Sequence, residues 1–159
     1  MNSNGTDLRL IAACGVIRAR ANEVFELIAD PARQPEWDGN GNLASAASGQ
    51  RVQVEGDVFD MNIQKVPDCP TCATSEVRRN RVTEFVEGRV IAWKPSVPGS
   101  PEPGHEWKWV LIPQGDATVV VHIYDWSTLT DESRLERARA TTAANLLASI
   151  NRLKALAED

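Results

Sequence analysis

TDESRLERARATTAANLLASINRLKALAED, at residues 130–159, is the stretch that decides the fold. Residues 130–133 provide hydroxyl and acidic side chains, which complement the exposed N–H groups and the dipole at a helix N-terminus. No Gly or Pro follows them, so the sequence predicts one continuous helix to Asp159. At helical periodicity, one stripe of this helix is predicted to face inward: Leu135, Thr142, Leu146, Ile150, Leu153 and Ala157.

The two halves of this predicted helix differ in bulk. Residues 138–144 are Ala, Thr and Arg, whereas the second half brings large apolar side chains: Leu146, Leu147, Ile150, Leu153 and Leu156. Large side chains fill the space against a sheet, and small ones leave it empty. The pattern indicates a core at the bulky end and a cavity at the slim end. The alternative, that small residues only bring helix and sheet into close contact, stays open.

Composition and charge exclude some classes of protein. A chain of 159 residues is predicted to form a single domain over residues 1–159, with residues 1–6 as a flexible tail. The net charge of −5 argues against a nucleic-acid partner, because phosphate binding requires a basic face. No apolar run approaches the ~18 residues that a membrane helix needs, so stable membrane insertion is not expected.

The N-terminal region contains a misleading secretion motif. Residues 11–14 (IAAC) match a bacterial lipoprotein cleavage box. Few apolar residues precede Cys14, however, and Asp7 lies where a signal sequence needs positive charge. The sequence therefore predicts a cytoplasmic protein with reduced thiols.

The order of elements indicates an α+β protein. Residues 8–17 are predicted to form a strand, residues 23–28 a short helix, and residues 33–37 a second helical turn that inserts Trp37. Further strands are predicted at residues 52–63, 76–86, 89–97, 105–112 and 118–127, separated by turn residues. This order predicts a curved antiparallel sheet wrapped around the C-terminal helix.

Several of these segments carry a family resemblance. Residues 21–31 (ANEVFELIADP) with Pro35, Glu36 and Trp37 resemble the opening of the polyketide cyclase/dehydrase and lipid-transport family, within the START-like, helix-grip SRPBCC superfamily. Residues 56–59 (GDVF), Asn62 and Trp93 resemble the middle of its actinobacterial-type members. The last hairpin is similar as well, at residues 104–109 (GHEWKW) and at Thr118, Val120, His122, Tyr124, Asp125 and Trp126. The resemblance spans residues 17–157 and implies the helix-grip fold with an internal cavity. It implies no single activity, since this superfamily includes lipid carriers, cyclases, hydrolases and chaperone-like regulators.

The last strands concentrate the aromatic residues. Alternation places His105, Trp107, Trp109 and Leu111 on one face of their strand. On the next strand the pattern alone turns Val119, Val121 and Ile123 inward, whereas the resemblance turns Val120, His122, Tyr124 and Trp126 inward, and we follow the resemblance. The predicted ligand-binding residues are Trp37, Phe59, Met61, Trp93, Trp107, Trp109, His122, Tyr124, Trp126 and Arg139. An aromatic core with no room for a ligand is the alternative.

His122 and Tyr124 are the candidate catalytic residues. A His in an apolar pocket can take a proton from an activated carbon or assist a dehydration, and Tyr124 can polarise a carbonyl. A buried neutral His bonded to a neighbour explains the same sequence. Arg139, on the predicted inward stripe, is expected either to meet a carboxylate or phosphate of a ligand or to reach solvent or an acidic neighbour.

Cys69 and Cys72 form a C-x-x-C motif between two predicted strands. No helix follows to lower a thiol pKa, so thioredoxin chemistry is not indicated. Zinc normally requires four ligands, and Cys14, His105 and His122 lack a matching spacing. We expect two free thiols at a hairpin tip and no metal site.

These observations predict a protein that binds a small hydrophobic, lipid- or polyketide-like molecule between sheet and C-terminal helix, with no cofactor. An aromatase/cyclase or dehydratase acting through His122 and Tyr124 is the alternative, and a regulator that binds another protein is the third hypothesis. The face assignment leaves an aliphatic patch on the convex side of the sheet. A homodimer is therefore predicted through Val110, Ile112, Val119, Val121 and Ile123.

Overall fold

The structure, a computed structural model, describes residues 8–39, 43–64 and 75–159. The strands are β1 (Leu10–Ile17), β2 (Leu43–Ser48), β3 (Val58–Gln64), β4 (Ser75–Val86), β5 (Val90–Ser96), β6 (Glu106–Gln114) and β7 (Ala117–Asp125). The helices are α1 (Ala21–Ala29), α2 (Gln34–Trp37), α3 (Leu135–Ala140) and α4 (Ala143–Glu158), with 3-10 turns at Pro31–Arg33 and Glu132–Arg134. Within these residues the strands form one antiparallel sheet in the order β1-β7-β6-β5-β4-β3-β2.

The sheet wraps around α4, which packs against β1, β7, α1 and α2. The bulky half of α4 fills this space, where Leu146, Ile150 and Leu153 are buried. Ile150 and Leu153 belong to the same core as Phe25 of α1 and Leu111 of β6. Leu146 belongs to a second buried cluster. The predicted fold class, a curved antiparallel sheet around a long C-terminal helix with short helices after the first strand, is confirmed.

The predicted continuous helix from residue 130 to residue 159 is wrong at its centre. The chain leaves helical geometry at Thr141 and Thr142, where ψ is 125° and 162°. Thr142 then caps α4, because its hydroxyl accepts a hydrogen bond from the backbone N–H of Asn145. A threonine side chain that bonds locally to backbone competes with helix continuation, and the absence of Gly and Pro does not prevent this. The inward stripe therefore fails at Thr142, which is exposed.

The strand predictions hold except at β2 and at the start of β3. Residues 43–48 read LASAAS, and this run of small residues has neither alternation nor β-branched side chains, so the sequence pattern missed β2. Residues 52–57, predicted as strand, form a turn instead. In this turn Asp57 Oδ2 accepts hydrogen bonds from the backbone N–H groups of Gln53 at 2.8 Å and Val54 at 3.2 Å.

The ambiguous strand β7 has the orientation that the resemblance implies. Burial alternates along it, with Val120, His122 and Tyr124 buried on the concave face. Val119 and Val121 on the other face are only partly buried. No helix among the described residues is both long and apolar enough to cross a membrane.

Candidate functional site

A cavity of about 460 Å³ lies between the concave face of the sheet and the C-terminal helices. The helical wall is the slim stretch of the C-terminal region, with Ala138 and Ala140 of α3, Thr141 at the break, and Asn145 and Ser149 of α4. The sequence prediction of a cavity opposite the small residues is therefore confirmed. The break itself borders the cavity, so the capping of α4 by Thr142 shapes this wall.

A close approach of two helices forms another side of the cavity. Gly39, just after α2, donates its N–H to Ser149 Oγ at 2.9 Å. A Cβ atom at residue 39 would lie 2.4 Å from the backbone nitrogen of Ser149, so only glycine permits this contact. Both residues line the cavity, and any side chain at residue 39 would push α2 and α4 apart.

Aromatic and aliphatic side chains form the apolar walls: Trp37, Leu43, Met61, Ile63, Trp93 and Trp107. The indole of Trp37 is fixed because Nε1 donates to the carbonyl oxygen of Leu27 at 2.7 Å. The indole of Trp93 packs edge-on against Phe59, with ring centroids 5.5 Å apart. These contacts orient the rings before any ligand binds, which lowers the entropic cost of binding.

The structure brings six of the predicted ligand-binding residues to the cavity: Trp37, Met61, Trp93, Trp107, His122 and Tyr124. Phe59 and Trp109 instead lie in the core behind it, 1% and 0% exposed. Trp126 is buried in a second apolar cluster with Leu129. Alternation along a strand predicts the face of a side chain but not its position along the groove, which explains these three misplacements.

Arg139 does not line the cavity. It is exposed, whereas its neighbour Ala138 is buried and faces the cavity. The prediction assumed one continuous helix, so that residues before and after Thr141 shared one inward stripe. Because the helix breaks at Thr141, the stripe of α4 does not extend to α3. The inward placement of Arg139 is therefore wrong.

His122 is a buried neutral imidazole in the wall of the cavity. Desolvation lowers the pKa of His122 from 6.5 to about 3, and a hydrogen bond with the backbone of Leu146 only partly opposes this. Its ring stacks on the indole of Trp109, with centroids 3.7 Å apart and planes inclined by 9°. Nδ1 is buried and has no hydrogen-bond partner among the described residues.

Several polar residues around the cavity were not predicted from the sequence. Gln34 donates from Nε2 to the carbonyl oxygen of Ile28 at 3.3 Å, and Asn80 donates from Nδ2 to that of Phe59 at 3.4 Å. The remaining polar lining residues not predicted from sequence are Asp38, Arg78, His105, Arg134, Thr141, Asn145 and Ser149. Alternation along β4 was the available signal, since Arg78 and Asn80 are both in phase with the buried Val82.

Cys69 and Cys72 lie outside the described residues, and Cys14 is a free, exposed thiol on β1. Among the residues that the structure describes, no group of three or more His, Cys, Asp or Glu side chains could hold a metal ion.

Comparison with known proteins gives structural matches only. No family model matches the chain, and no curated protein matches it. The Zhui aromatase/cyclase of a Streptomyces species has a TM-score of 0.66 at 16% identity, over 94% of this chain and 93% of that chain. The Aha1 dimer protein of Colwellia psychrerythraea has a TM-score of 0.62 at 15% identity, over 94% and 96%. Major latex-like protein 151 of Panax ginseng has a TM-score of 0.61 at 12% identity, over 94% and 97%.

Such low identities establish the architecture and leave the activity open. The matches cover nearly the whole chain, and the sheet order, the short helices after β1 and the long α4 agree with them. The chain therefore has the helix-grip fold.

Proposed function

We propose that the protein binds a small hydrophobic molecule, lipid- or polyketide-like, in the cavity between the sheet and the C-terminal helices. The observation that carries the proposal is the cavity itself, about 460 Å³ in volume, with three indoles in its walls. This volume lies within the roughly 300–1,000 Å³ of sites for small molecules. It suits one acyl chain or a small fused-ring system.

The chemistry of the walls supports a ligand of mixed character. Trp37, Trp93 and Trp107 offer flat apolar surface, and burial of apolar area contributes roughly 25 cal/mol per Å². The polar groups on the other walls can orient such a ligand through a few hydrogen bonds. The resemblance of the sequence to the polyketide cyclase and lipid-transport family agrees with this proposal.

Catalysis is the second candidate function, since one structural neighbour is an aromatase/cyclase and both His122 and Tyr124 line the cavity. General-base efficiency is greatest when the pKa of the base is near the working pH. An imidazole with a pKa of about 3 is a weak base, and its Nδ1 is buried. These properties favour binding over catalysis through His122.

The proposal is tested by titrating the protein with Nile red, a neutral dye that fluoresces in apolar surroundings. Saturable binding of one dye per chain is expected in the wild type. Trp107→Ala should weaken it by about tenfold or more, because the variant loses a large aromatic side chain from the cavity wall and with it much of the contact with the dye. Leu147→Ala is the matched control, since Leu147 is 40% exposed and lies outside the cavity lining. Equal weakening in both variants, or no saturable binding in the wild type, would refute the proposal.

A further inference from the structure

Two buried amide side chains in the cavity lining each have an oxygen without a partner. Gln34 is 1% exposed and Asn80 is 5% exposed, and both line the cavity. Each side chain hydrogen-bonds through its NH₂ group, and neither amide oxygen accepts a hydrogen bond within the part of the chain that the structure describes. A buried polar atom without a hydrogen bond is unfavourable, so two such atoms in a cavity wall indicate a role in binding.

The end of α1 determines the orientation of the Gln34 amide. The last carbonyl groups of a helix have no partner within the helix, and Gln34 Nε2 donates to one of them, the carbonyl oxygen of Ile28, at 3.3 Å. A carbonyl oxygen can only accept, so the NH₂ group faces it and Oε1 lies on the other side of the amide. Oε1 is therefore a fixed acceptor at the start of α2.

The sheet determines the orientation of the Asn80 amide in the same way. Nδ2 lies 3.4 Å from the carbonyl oxygens of both Phe59 and Arg78, and two acceptors on one side exclude the reversed amide. Phe59 on β3 and Pro95 on β5 are directly opposite Asn80, and neither side chain has a hydrogen-bond donor. The cross-strand neighbours therefore leave Oδ1 without a donor.

These two oxygens differ from the enclosed polar atoms of the core. Trp109 Nε1, His122 Nδ1 and Trp126 Nε1 also lack partners among the described residues, but almost no accessible surface remains at them. The oxygens of Gln34 and Asn80 do not belong to this enclosed set, and both residues line the cavity. A donor on a ligand in the cavity can therefore reach them.

The charged residues of the lining have interactions within the protein. Asp38 Oδ2 accepts from the backbone N–H of Leu43 at 2.9 Å, and Arg134 Nε lies 3.4 Å from Asp131 Oδ2. Arg78 also has interactions of its own. The neutral amide oxygens, in contrast, need a donor from the ligand.

We infer that the ligand carries an uncharged hydroxyl group, which donates a hydrogen bond to Gln34 Oε1 or Asn80 Oδ1 while the apolar body packs against the tryptophans. This inference rests on the proposed function and narrows it to a ligand class, the alcohols and phenols. An ionised carboxylate has acceptors only and would bring negative charge towards the amide oxygens. An ether or a ketone likewise has no donor.

The test is displacement of Nile red by three naphthalenes that differ in one substituent: 2-naphthol, 2-methoxynaphthalene and 2-naphthoate. 2-Naphthol is expected to bind the wild type most tightly, because it alone has a hydrogen-bond donor at neutral pH. The methyl ether keeps the ring and the oxygen, so comparison with it separates the donated hydrogen bond from apolar packing.

The variant Gln34→Met with Asn80→Leu removes both acceptors and keeps side chains of similar size. The ratio of the affinity for 2-naphthol to that for the ether should fall by about tenfold, as expected for loss of one hydrogen bond. The two single variants identify the oxygen that accepts. Gln114→Met with Asn151→Leu is the matched control, since both residues are exposed and lie outside the lining.

The wild type alone can overturn the inference, so the test does not depend on how well the double variant folds. If the ether or 2-naphthoate binds the wild type at least as tightly as 2-naphthol, the inference is wrong and the proposed function stands. The same holds if the ratio is unchanged in the double variant. Absence of saturable Nile red binding would overturn both.

Discussion

The imidazole of His122 stacks on the indole of Trp109, with ring centroids 3.7 Å apart and planes inclined by 9°. The two residues are directly opposite each other on β7 and β6, so the sheet register itself brings the rings together. Trp109 is fully buried and also packs edge-on against Trp37, with centroids 5.2 Å apart. His122 thus belongs to an aromatic stack that connects the core to the cavity wall.

The burial of His122 makes stability depend on pH. Its pKa is about 3 in the folded protein, whereas the ordinary value is 6.5. Below pH 6.5 the unfolded chain therefore binds a proton that the folded chain does not bind. Stability from this source is complete above that value and is lost as the pH falls. The free energy of unfolding should drop by about 2 kcal/mol between about pH 7.5 and pH 5 on account of His122.

Urea unfolding at both pH values measures this loss in the wild type and in His122→Phe. The phenyl ring keeps a flat apolar surface against Trp109 and carries no titrating group, so the variant should lack this part of the pH dependence. An identical drop in the two proteins would show that His122 is accessible to protons in the folded state.

Thr142 is predicted to determine where α4 begins. Its hydroxyl accepts from Asn145 N at 3.2 Å, and Asn145 Oδ1 accepts from Thr142 N at 2.9 Å, which is a reciprocal capping arrangement. Thr142→Ala should cost about 1 kcal/mol in the free energy of unfolding. Thr141→Ala, in the same break, is the control, since the Thr141 side chain takes no part in the cap. Equal losses in denaturant unfolding would mean that the cap contributes nothing specific.

The homodimer stays a prediction, and we propose that the convex faces of two sheets pair. Ile112 is 44% exposed and Val16 of β1 is 55% exposed, so the aliphatic patch extends from β6 across β7 to β1. Burial of such a patch is favourable by roughly 25 cal/mol per Å². Val121→Lys, at its centre, should shift the protein from dimer to monomer in sedimentation velocity. Val54→Lys, on an exposed turn, should not, and a wild type that sediments as a monomer would end the proposal.

The sequence predicted the elements in which packing follows a simple period. Alternation and family resemblance together located the concave face of β6 and β7 and therefore placed Trp107, His122 and Tyr124 at the cavity. The contrast in bulk along the C-terminal region located the cavity itself. Both signals work because burial of large apolar side chains dominates the energetics of these elements.

The wrong predictions share a physical cause. A periodic sequence pattern records neither local hydrogen bonding nor how deeply a side chain lies behind the cavity wall. The capping by Thr142 interrupts a segment with no helix-breaking residue. The predicted inward stripe does not continue across this break, and Arg139 is exposed. Trp109 lies on the predicted face of β6, but the rings of Trp37 and His122 pack against it and cover it on the cavity side. Arg134 lines the cavity from the turn before α3, and no spacing in the sequence reveals that position.

The most direct test of the account follows the indole N–H resonances of the five tryptophans by ¹H–¹⁵N NMR while Nile red or 2-naphthol is added. Single Trp→Phe variants assign the five peaks. The account predicts that the peaks of Trp93 and Trp107, in the cavity walls, shift most and saturate with one ligand per chain. The peak of Trp126, which does not line the cavity, should shift less than either. A ligand that shifts Trp126 and leaves Trp93 and Trp107 unmoved would contradict binding in this cavity.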